Sequence, residues 1–180
     1  MDNLFEKWKS KIPKYSEAHK DLFNSLSQKF GAEGEKKVNL GKHFSTNYEL
    51  FMYAFFLGLY RNEFQPISEA DRKTDFSHHI QHWGSKSNIT TRQDFSSLQE
   101  NMFIALLFKA DLDLIALERG ELSEDEAIRI LIVCMESYAN GGLILIREML
   151  DRNPNAFLQP TSFLNMILEP RVDQEYTRKS

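Results

Sequence analysis

Residues 46–62 read TNYELFMYAFFLGLYRN, and this stretch decides the fold of the chain. Thr46 and Glu49 match a capping box, in which the threonine side chain accepts a hydrogen bond from a backbone N–H at the start of a helix. The residues that follow are apolar on nearly all sides, which is typical of a helix that is buried centrally or shared between subunits. We therefore predict a central apolar helix near residues 47–61. Gly58 costs about 1 kcal/mol relative to alanine in a helix interior, and it favours a tight helix crossing at this position.

The segments on both sides of this helix carry further helical patterns, because apolar residues recur every three or four positions. Asn140, Gly141 and Gly142 lie inside the last long pattern, where glycines favour a sharp turn between two packed helices. No segment shows the alternation of a β-strand. We predict an all-α, single-domain bundle of about six or seven helices over residues 1–170, followed by a polar tail at 171–180. The other predicted helices span 4–11, 16–30, 75–82, 94–118 with a break near 110–113, 123–138, 143–150 and 161–168.

Composition agrees with one globular domain. The chain has 180 residues, of which 42% are hydrophobic, and its 14 phenylalanines predict a core rich in phenyl rings. The segment MDNLFEKWKSKIPKY contains no apolar run, so no secretory signal is predicted. The longest apolar stretch, Leu50–Tyr60, is shorter than the roughly 20 residues that span a bilayer. Cys134, the single cysteine, is expected to be a small buried apolar residue, and we predict a cytoplasmic protein.

A histidine-rich segment is the one candidate for a metal site. If residues 75–82 form a helix, His78 and His82 lie one turn apart, and Asp75 lies one turn before His78. Imidazole and carboxylate groups suit zinc or another transition metal, and His79 is a further possible ligand. Ligand-like spacing also arises by chance, so the alternative is a polar surface segment packed beside Trp83.

Lysines near the N-terminus are candidates for nucleic-acid contact. Residues 1–42 contain nine lysines and six acids, whereas residues 98–151 contain eleven acids and four basic residues. Two interpretations remain open, because charge runs usually form solvated helix faces but a basic end can also bind phosphates. The candidate contacts, which alternate with Trp8 and Tyr15, are Lys7, Lys9, Lys11 and Lys14.

Two stretches of the chain match a known pattern. Asn47–Ile67 reads NYELFMYAFFLGLYRNEFQPI, and Asp111–Leu150 ends in ESYANGGLILIREML. Together they resemble the small helical dnd-system-associated proteins, which are encoded beside bacterial DNA phosphorothioation genes. The residues that carry the match are Gly58, Pro66, Tyr138, Ala139, Asn140, Gly141, Gly142 and Leu143. The resemblance implies a bacterial defence or DNA-modification context, and it assigns no catalytic residue.

Three functions follow as hypotheses. The first is a non-catalytic helical module that binds a protein partner or a second copy of itself, because a nearly all-apolar helix lies in a chain without recognisable catalytic motifs. The second is a metal-dependent enzyme built on Asp75, His78, His79 and His82. The third is direct DNA binding through the N-terminal lysines. No Walker-type or GxGxxG loop is present in the sequence, so no nucleotide cofactor is predicted.

Overall fold

The computed structural model describes residues 2–27, 44, 46–76, 78–84, 96–159 and 161–168. Within these residues the chain is mostly helical and contains seven α-helices, which confirms the predicted all-α class. The predicted tail at 171–180 lies outside the described residues. Single-turn 3-10 helices cover Glu17–His19, Ile80–His82 and Ala156–Leu158. The α-helices are α1 (Asp2–Lys9), α2 (Lys20–Leu26), α3 (Asn47–Arg61), α4 (Ser96–Lys109), α5 (Leu114–Glu118), α6 (Glu124–Arg152) and α7 (Ser162–Leu168).

A small antiparallel sheet corrects the expectation that the chain has no strands. Strand β1 (Lys14–Ser16) pairs with β2 (Lys73–Asp75) in the register Lys14↔Asp75, Tyr15↔Thr74 and Ser16↔Lys73. Each strand has only three residues, which is too short for an alternating pattern to be recognised in the sequence. Glu136 of α6 accepts a hydrogen bond from the backbone N–H of Lys14 at 2.7 Å, so the sheet is tied to the longest helix. Burial raises the pKa of this carboxyl.

Helix α3 forms as the sequence predicts. The Thr46 hydroxyl accepts a hydrogen bond from the Glu49 N–H at 3.4 Å and caps the first turn. Asn62 ends the helix in the left-handed conformation, with φ of 57°, a conformation that asparagine tolerates better than most residues. Most of the helix is buried, and its aromatic side chains join rings from four other segments. The largest ring cluster contains Tyr15, Phe23, Tyr48, Phe51, Phe76 and Trp83.

Helices α3 and α6 cross with their backbones in contact, as Gly58 predicted. A Cβ atom added at Gly58 would lie 2.0 Å from the carbonyl oxygen of Tyr138 on α6. A Cβ added at Gly142 would lie 1.9 Å from the carbonyl oxygen of Ala54 on α3. Ala54 and Gly58 lie one turn apart on α3 and meet Gly142 of α6, and these small residues allow the two backbones to approach more closely than larger side chains would permit. This crossing is the main contact of α3.

Helix α6 runs without interruption from Glu124 to Arg152, so the turn predicted at Asn140-Gly141-Gly142 is wrong. All three residues are buried, and the glycines serve close packing instead of a change of direction. Gly142 faces α3, and a Cβ at Gly141 would lie 2.0 Å from the carbonyl oxygen of Glu63 in the segment after α3. By length and hydropathy alone α6 passes for a membrane span, but 61% of its most apolar window is buried inside the protein. Its packing against other helices accounts for its apolar character.

Other helix boundaries follow local hydrogen bonding. The predicted helix at 16–30 instead begins as a 3-10 turn, and α2 ends at Leu26. The Ser27 hydroxyl contacts the Phe23 carbonyl and the Asn47 side chain, while its extended backbone bridges to Phe44. A serine side chain that competes for backbone partners in this way favours a helix end. The predicted break near residues 110–113 is confirmed, because α4 ends at Lys109 and α5 begins at Leu114.

Candidate functional site

An open groove lies between the end of α4, the segment after α3 and the outward face of α6. Its volume is about 520 Å³, within the range of about 300–1,000 Å³ typical of ligand-binding clefts. Apolar and aromatic side chains form most of its surface. We define the apolar groove by the residues that line it, which are Phe64, Lys109, Ala110, Asp111, Arg129, Ile130, Val133, Cys134 and Tyr138.

Helix α6 supplies the floor of the groove through Ile130, Val133, Cys134 and Tyr138. These positions are separated by three, one and four residues, so they share one face of the helix. Val133 is 51% exposed, whereas Cys134 is only 4% exposed, as expected for a small buried apolar residue. Burial raises the pKa of the Cys134 thiol to about 11, which keeps it protonated and unreactive near neutral pH. Phe64 meets Tyr138 edge-on, with ring centroids 5.1 Å apart, and both rings line the groove.

Charged side chains of both signs stand among the residues that line the groove. Lys109 and Asp111 come from the end of α4 and the loop that follows, and Arg129 comes from α6. None of the three forms an ion pair within the described residues, unlike Arg147, whose guanidinium binds Asp21 at 2.6 Å. The apolar floor is thus bordered by charges that have no partner inside the described part of the molecule. A polar border around an apolar centre is the usual anatomy of a protein interface.

Helix α4, whose last residue Lys109 lines the groove, also carries exposed apolar side chains. Phe108 directly precedes the groove residue Lys109 and is 84% exposed, the largest exposure among the described large apolar residues. Ile104 lies one turn earlier on the same face and is 52% exposed. Ile115 of α5 is also largely exposed. A row of exposed large apolar side chains beside an apolar cleft marks an interaction surface rather than ordinary surface composition.

The histidine segment does not form the helix that the metal prediction needs. Asp75 ends β2 and makes an ion pair with Lys14 at 3.7 Å, His79 is extended, and only the single 3-10 turn at Ile80–His82 follows it. Without a helix, His78 and His82 do not share a face, so the geometric argument for this site fails. The His79 ring instead donates through Nδ1 to the carbonyl oxygen of Ser10. In the described part of the chain, no three His, Cys, Asp or Glu side chains lie together as a metal would require.

Three of the four candidate DNA-contacting lysines lie in ion pairs. Lys7 binds Glu124, and this hydrogen bond raises the pKa of the ammonium group. Lys9 pairs with Glu6 at 2.8 Å, and Lys14 pairs with Asp75. Phosphate contact would have to compete with these carboxylates. Direct DNA binding through Lys7, Lys9, Lys11 and Lys14 stays a prediction.

The aromatic residues between these lysines do not face a ligand. Trp8 is completely buried and packs 5.6 Å from the Phe103 ring, and Tyr15 is buried against Phe23. Stacking on nucleic-acid bases needs an accessible ring face. The aromatic residues of this segment therefore belong to the core, and the lysines between them lie on its outer side.

A buried polar network accounts for Asn140. The imidazole of His19 lies 2.9 Å through Nε2 from the Asn140 side-chain oxygen, and the Asn140 amide donates to the carbonyl of Gln65 at 3.0 Å. Asn140 thus joins the segment before α2 to the segment after α3. His19 Nδ1 is buried without a partner among the described groups. This arrangement fits a neutral imidazole that donates through Nε2.

We expect this network to make the protein less stable in acid. Burial lowers the pKa of His19 below its usual value of about 6.5, and Arg147 acts in the same direction. The stabilisation from a neutral His19 is complete above pH about 6.5, and it is lost as the pH falls from there through the lowered pKa of the folded state. Denaturant titrations between pH 8 and pH 5, at intervals of about half a unit, should show this loss.

The variant His19→Gln isolates the effect, because glutamine keeps a donor for Asn140 but does not titrate. Subtracting its unfolding free energy from that of the wild-type protein also removes the contribution of Glu136, whose raised pKa acts in the opposite sense. The wild-type advantage should shrink as the pH falls. A difference that stays constant over this range would contradict a buried neutral histidine.

Comparisons with known proteins found no match to this chain. The chain matches no protein-family model, and no curated protein and no solved structure is significantly similar to it. The resemblance to dnd-system-associated proteins therefore stays a prediction.

Sequence reasoning missed the groove. Ile104, Phe108 and Ile115 are apolar positions of the predicted helix at 94–118, and such positions usually face a protein core, but all three are largely exposed. One signal was available. Apolar residues occupy positions 102–104 and 106–108, which is more than one face of a helix can bury.

Proposed function

We propose that this protein is a non-catalytic, helical protein-binding module, and that the apolar groove receives an apolar side chain of its partner. The single observation that carries the proposal is the unfilled cleft of about 520 Å³ beside the fully projecting Phe108. An aromatic anchor beside a pocket, bordered by charges, is the arrangement in which a few residues supply most of the binding free energy.

A protein partner fits this site better than a small molecule. The apolar surface extends beyond the cleft along α4, so a small ligand would leave Ile104 and Phe108 in water. A protein surface would cover both, and it would also offer charges to Lys109, Arg129 and Asp111. The thiol of Cys134 is protonated and buried, so the floor of the groove offers packing and no nucleophile.

The cellular setting that we propose rests on the resemblance alone. Asn47–Ile67 and Asp111–Leu150 resemble dnd-system-associated proteins, so the module would act as an accessory component of a bacterial DNA phosphorothioation or restriction system in the cytoplasm. Gly58 and Gly142 carry part of that resemblance, and in this protein they pack the α3–α6 crossing, whereas the matched residue Tyr138 lines the groove. The glycines of the shared motif therefore support a common fold, and Tyr138 is the one matched residue that belongs to the proposed binding surface.

A photo-crosslinking experiment tests the proposed function. Phe108 is replaced by the near-isosteric photoreactive residue p-benzoyl-phenylalanine, and cells that make the protein at its natural level are irradiated. We expect a covalent adduct of higher mass that contains a protein. Leu164 of α7 is the matched control, because it is apolar, 54% exposed and outside the groove. A strong adduct from position 108 and none from position 164 supports the proposal. The absence of any protein adduct at position 108 contradicts it.

A further inference from the structure

We propose that the partner in the groove is a second copy of this chain, joined by a two-fold axis on which Phe108 of each copy enters the groove of the other. This inference rests on the proposed function, because it names the occupant of the same site. In such an isologous pair, the same surface patch on each copy contacts its equivalent on the other copy. A projecting group on this patch therefore needs a recess on the same patch to receive it. Phe108 and the apolar groove supply both, and they are adjacent in the chain through Lys109.

The recess is large enough for this side chain. An apolar protein cavity of about 150 Å³ is sufficient to bind benzene, whereas the groove measures about 520 Å³. The remaining space accommodates further apolar atoms, which Ile104 can provide because it lies one turn from Phe108 on the same face. The entering ring would meet Val133 and Tyr138 on the floor of the groove.

The charged residues beside the groove can pair with the same set of residues on a second copy. Lys109 and Arg129 are cationic, Asp111 is anionic, and none has an ionic partner within the described residues. A two-fold axis that brings Asp111 of each copy opposite the cations of the other would make the pairing occur twice. A groove for an acidic or a basic partner segment would instead be expected to carry one sign of charge, so the mixed border favours a second copy.

The surrounding surface adds apolar contact area. Six large apolar side chains that are each more than 40% exposed line the groove or lie within five positions of a lining residue along the chain. Specific, stable protein–protein interfaces bury about 1,200–2,000 Å² in total, and their fully buried centre is more apolar than the rest of the interface. These side chains are Phe64, Ile104, Phe108, Leu114, Ile115 and Val133.

Analytical ultracentrifugation of the purified chain tests whether the partner is a second copy. We expect the wild-type protein to sediment as a dimer at about 100 μM and to dissociate on dilution. Phe108→Asp should weaken the dimer at least about 30-fold, the effect of losing a dominant interface residue. Leu164→Asp places the same charge at another exposed apolar position and should leave the dimer unchanged. Circular dichroism and unfolding midpoints confirm that both variants fold.

A charge exchange tests the two-fold pairing. Asp111→Arg should weaken the dimer because it places three cations together at each site, and adding Arg129→Asp in the same chain should restore it. A double variant that is no better than Asp111→Arg contradicts the pairing.

Different results contradict the dimer proposal and the proposed function. The proposal that the partner is a second copy is overturned if the wild-type protein stays monomeric at about 100 μM, or if Phe108→Asp does not weaken the dimer. If position 108 then crosslinks to a different protein in cells, the groove is still a protein-binding site and only its occupant is wrong. If position 108 yields no protein adduct, the proposed function fails as well.

Discussion

Gly142→Ala should lower the free energy of unfolding by about 3 kcal/mol or more, although alanine favours a helix by about 1 kcal/mol over glycine. Gly142 lies inside α6, so helix propensity alone predicts a more stable variant. The crossing predicts the reverse, because the added Cβ would lie 1.9 Å from the Ala54 carbonyl oxygen and 2.6 Å from its carbon. Those atoms belong to the backbone of α3, and they cannot rotate away as the end of a side chain can. Chemical denaturation of both proteins measures the difference.

Gly120→Ala is the control for this experiment. It adds the same methyl group in a turn where nothing lies within 4 Å of the new atom. The φ angle of Gly120 is +74°, so this variant should lose only the roughly 1–2 kcal/mol that alanine pays in a left-handed conformation. A Gly142→Ala protein as stable as the wild type, or more stable, would show that α3 and α6 do not meet there.

Phe51→Ala should lower the free energy of unfolding by about 3–5 kcal/mol, the usual cost of removing a buried phenyl ring. Phe51 is fully buried on α3, and its ring lies 4.9 Å from that of Phe76 and 5.5 Å from that of Trp83. Phe76 directly follows β2, and Trp83 directly follows the 3-10 turn at Ile80–His82. The variant should therefore also loosen the attachment of the histidine segment. Its unfolding midpoint in urea reports the loss of stability.

The matched control is Phe108→Ala, which makes the same chemical change at the most exposed large apolar side chain of the described residues. In dilute solution, where no dimer contributes, it should change the unfolding free energy by less than about 0.5 kcal/mol. Equal effects of Phe51→Ala and Phe108→Ala would mean that the two faces, one buried and one exposed, have been assigned wrongly.

Local signals in the sequence were sufficient for the helices. Thr46 and Ser123 each precede an acidic residue by three positions, and each hydroxyl accepts the expected backbone hydrogen bond. The run around Phe51 and Phe55 is apolar on all sides, and that alone placed α3 at the centre of the fold. Gly58 indicated a close crossing because nothing else accounts for a glycine in the middle of such a helix.

Features that depend on distant partners were misread or missed. Gly141 and Gly142 indicated a turn because the sequence does not show that Glu63 and Ala54 lie against them. The strand at Lys73–Asp75 forms only because Lys14–Ser16 pairs with it, so the local pattern around Asp75 was taken for a helix. The groove likewise arises where three separate segments meet, and Phe64 is far in sequence from Val133. The spacing of residues along the chain does not show that these three segments lie together in the fold.

The crossing, the groove and the proposed dimer all depend on which face of α6 points outward, and cysteine labelling along this helix tests that most directly. In a Cys134→Ser background, single cysteines are introduced as Val133→Cys and Met135→Cys, and their reaction with a thiol reagent is followed in dilute solution. Val133 is half exposed and Met135 is fully buried. We expect the thiol at 133 to react at least about 100-fold faster than the thiol at 135, which must await local opening. A thiol at 135 that reacts as fast as that at 133, or faster, would contradict this account.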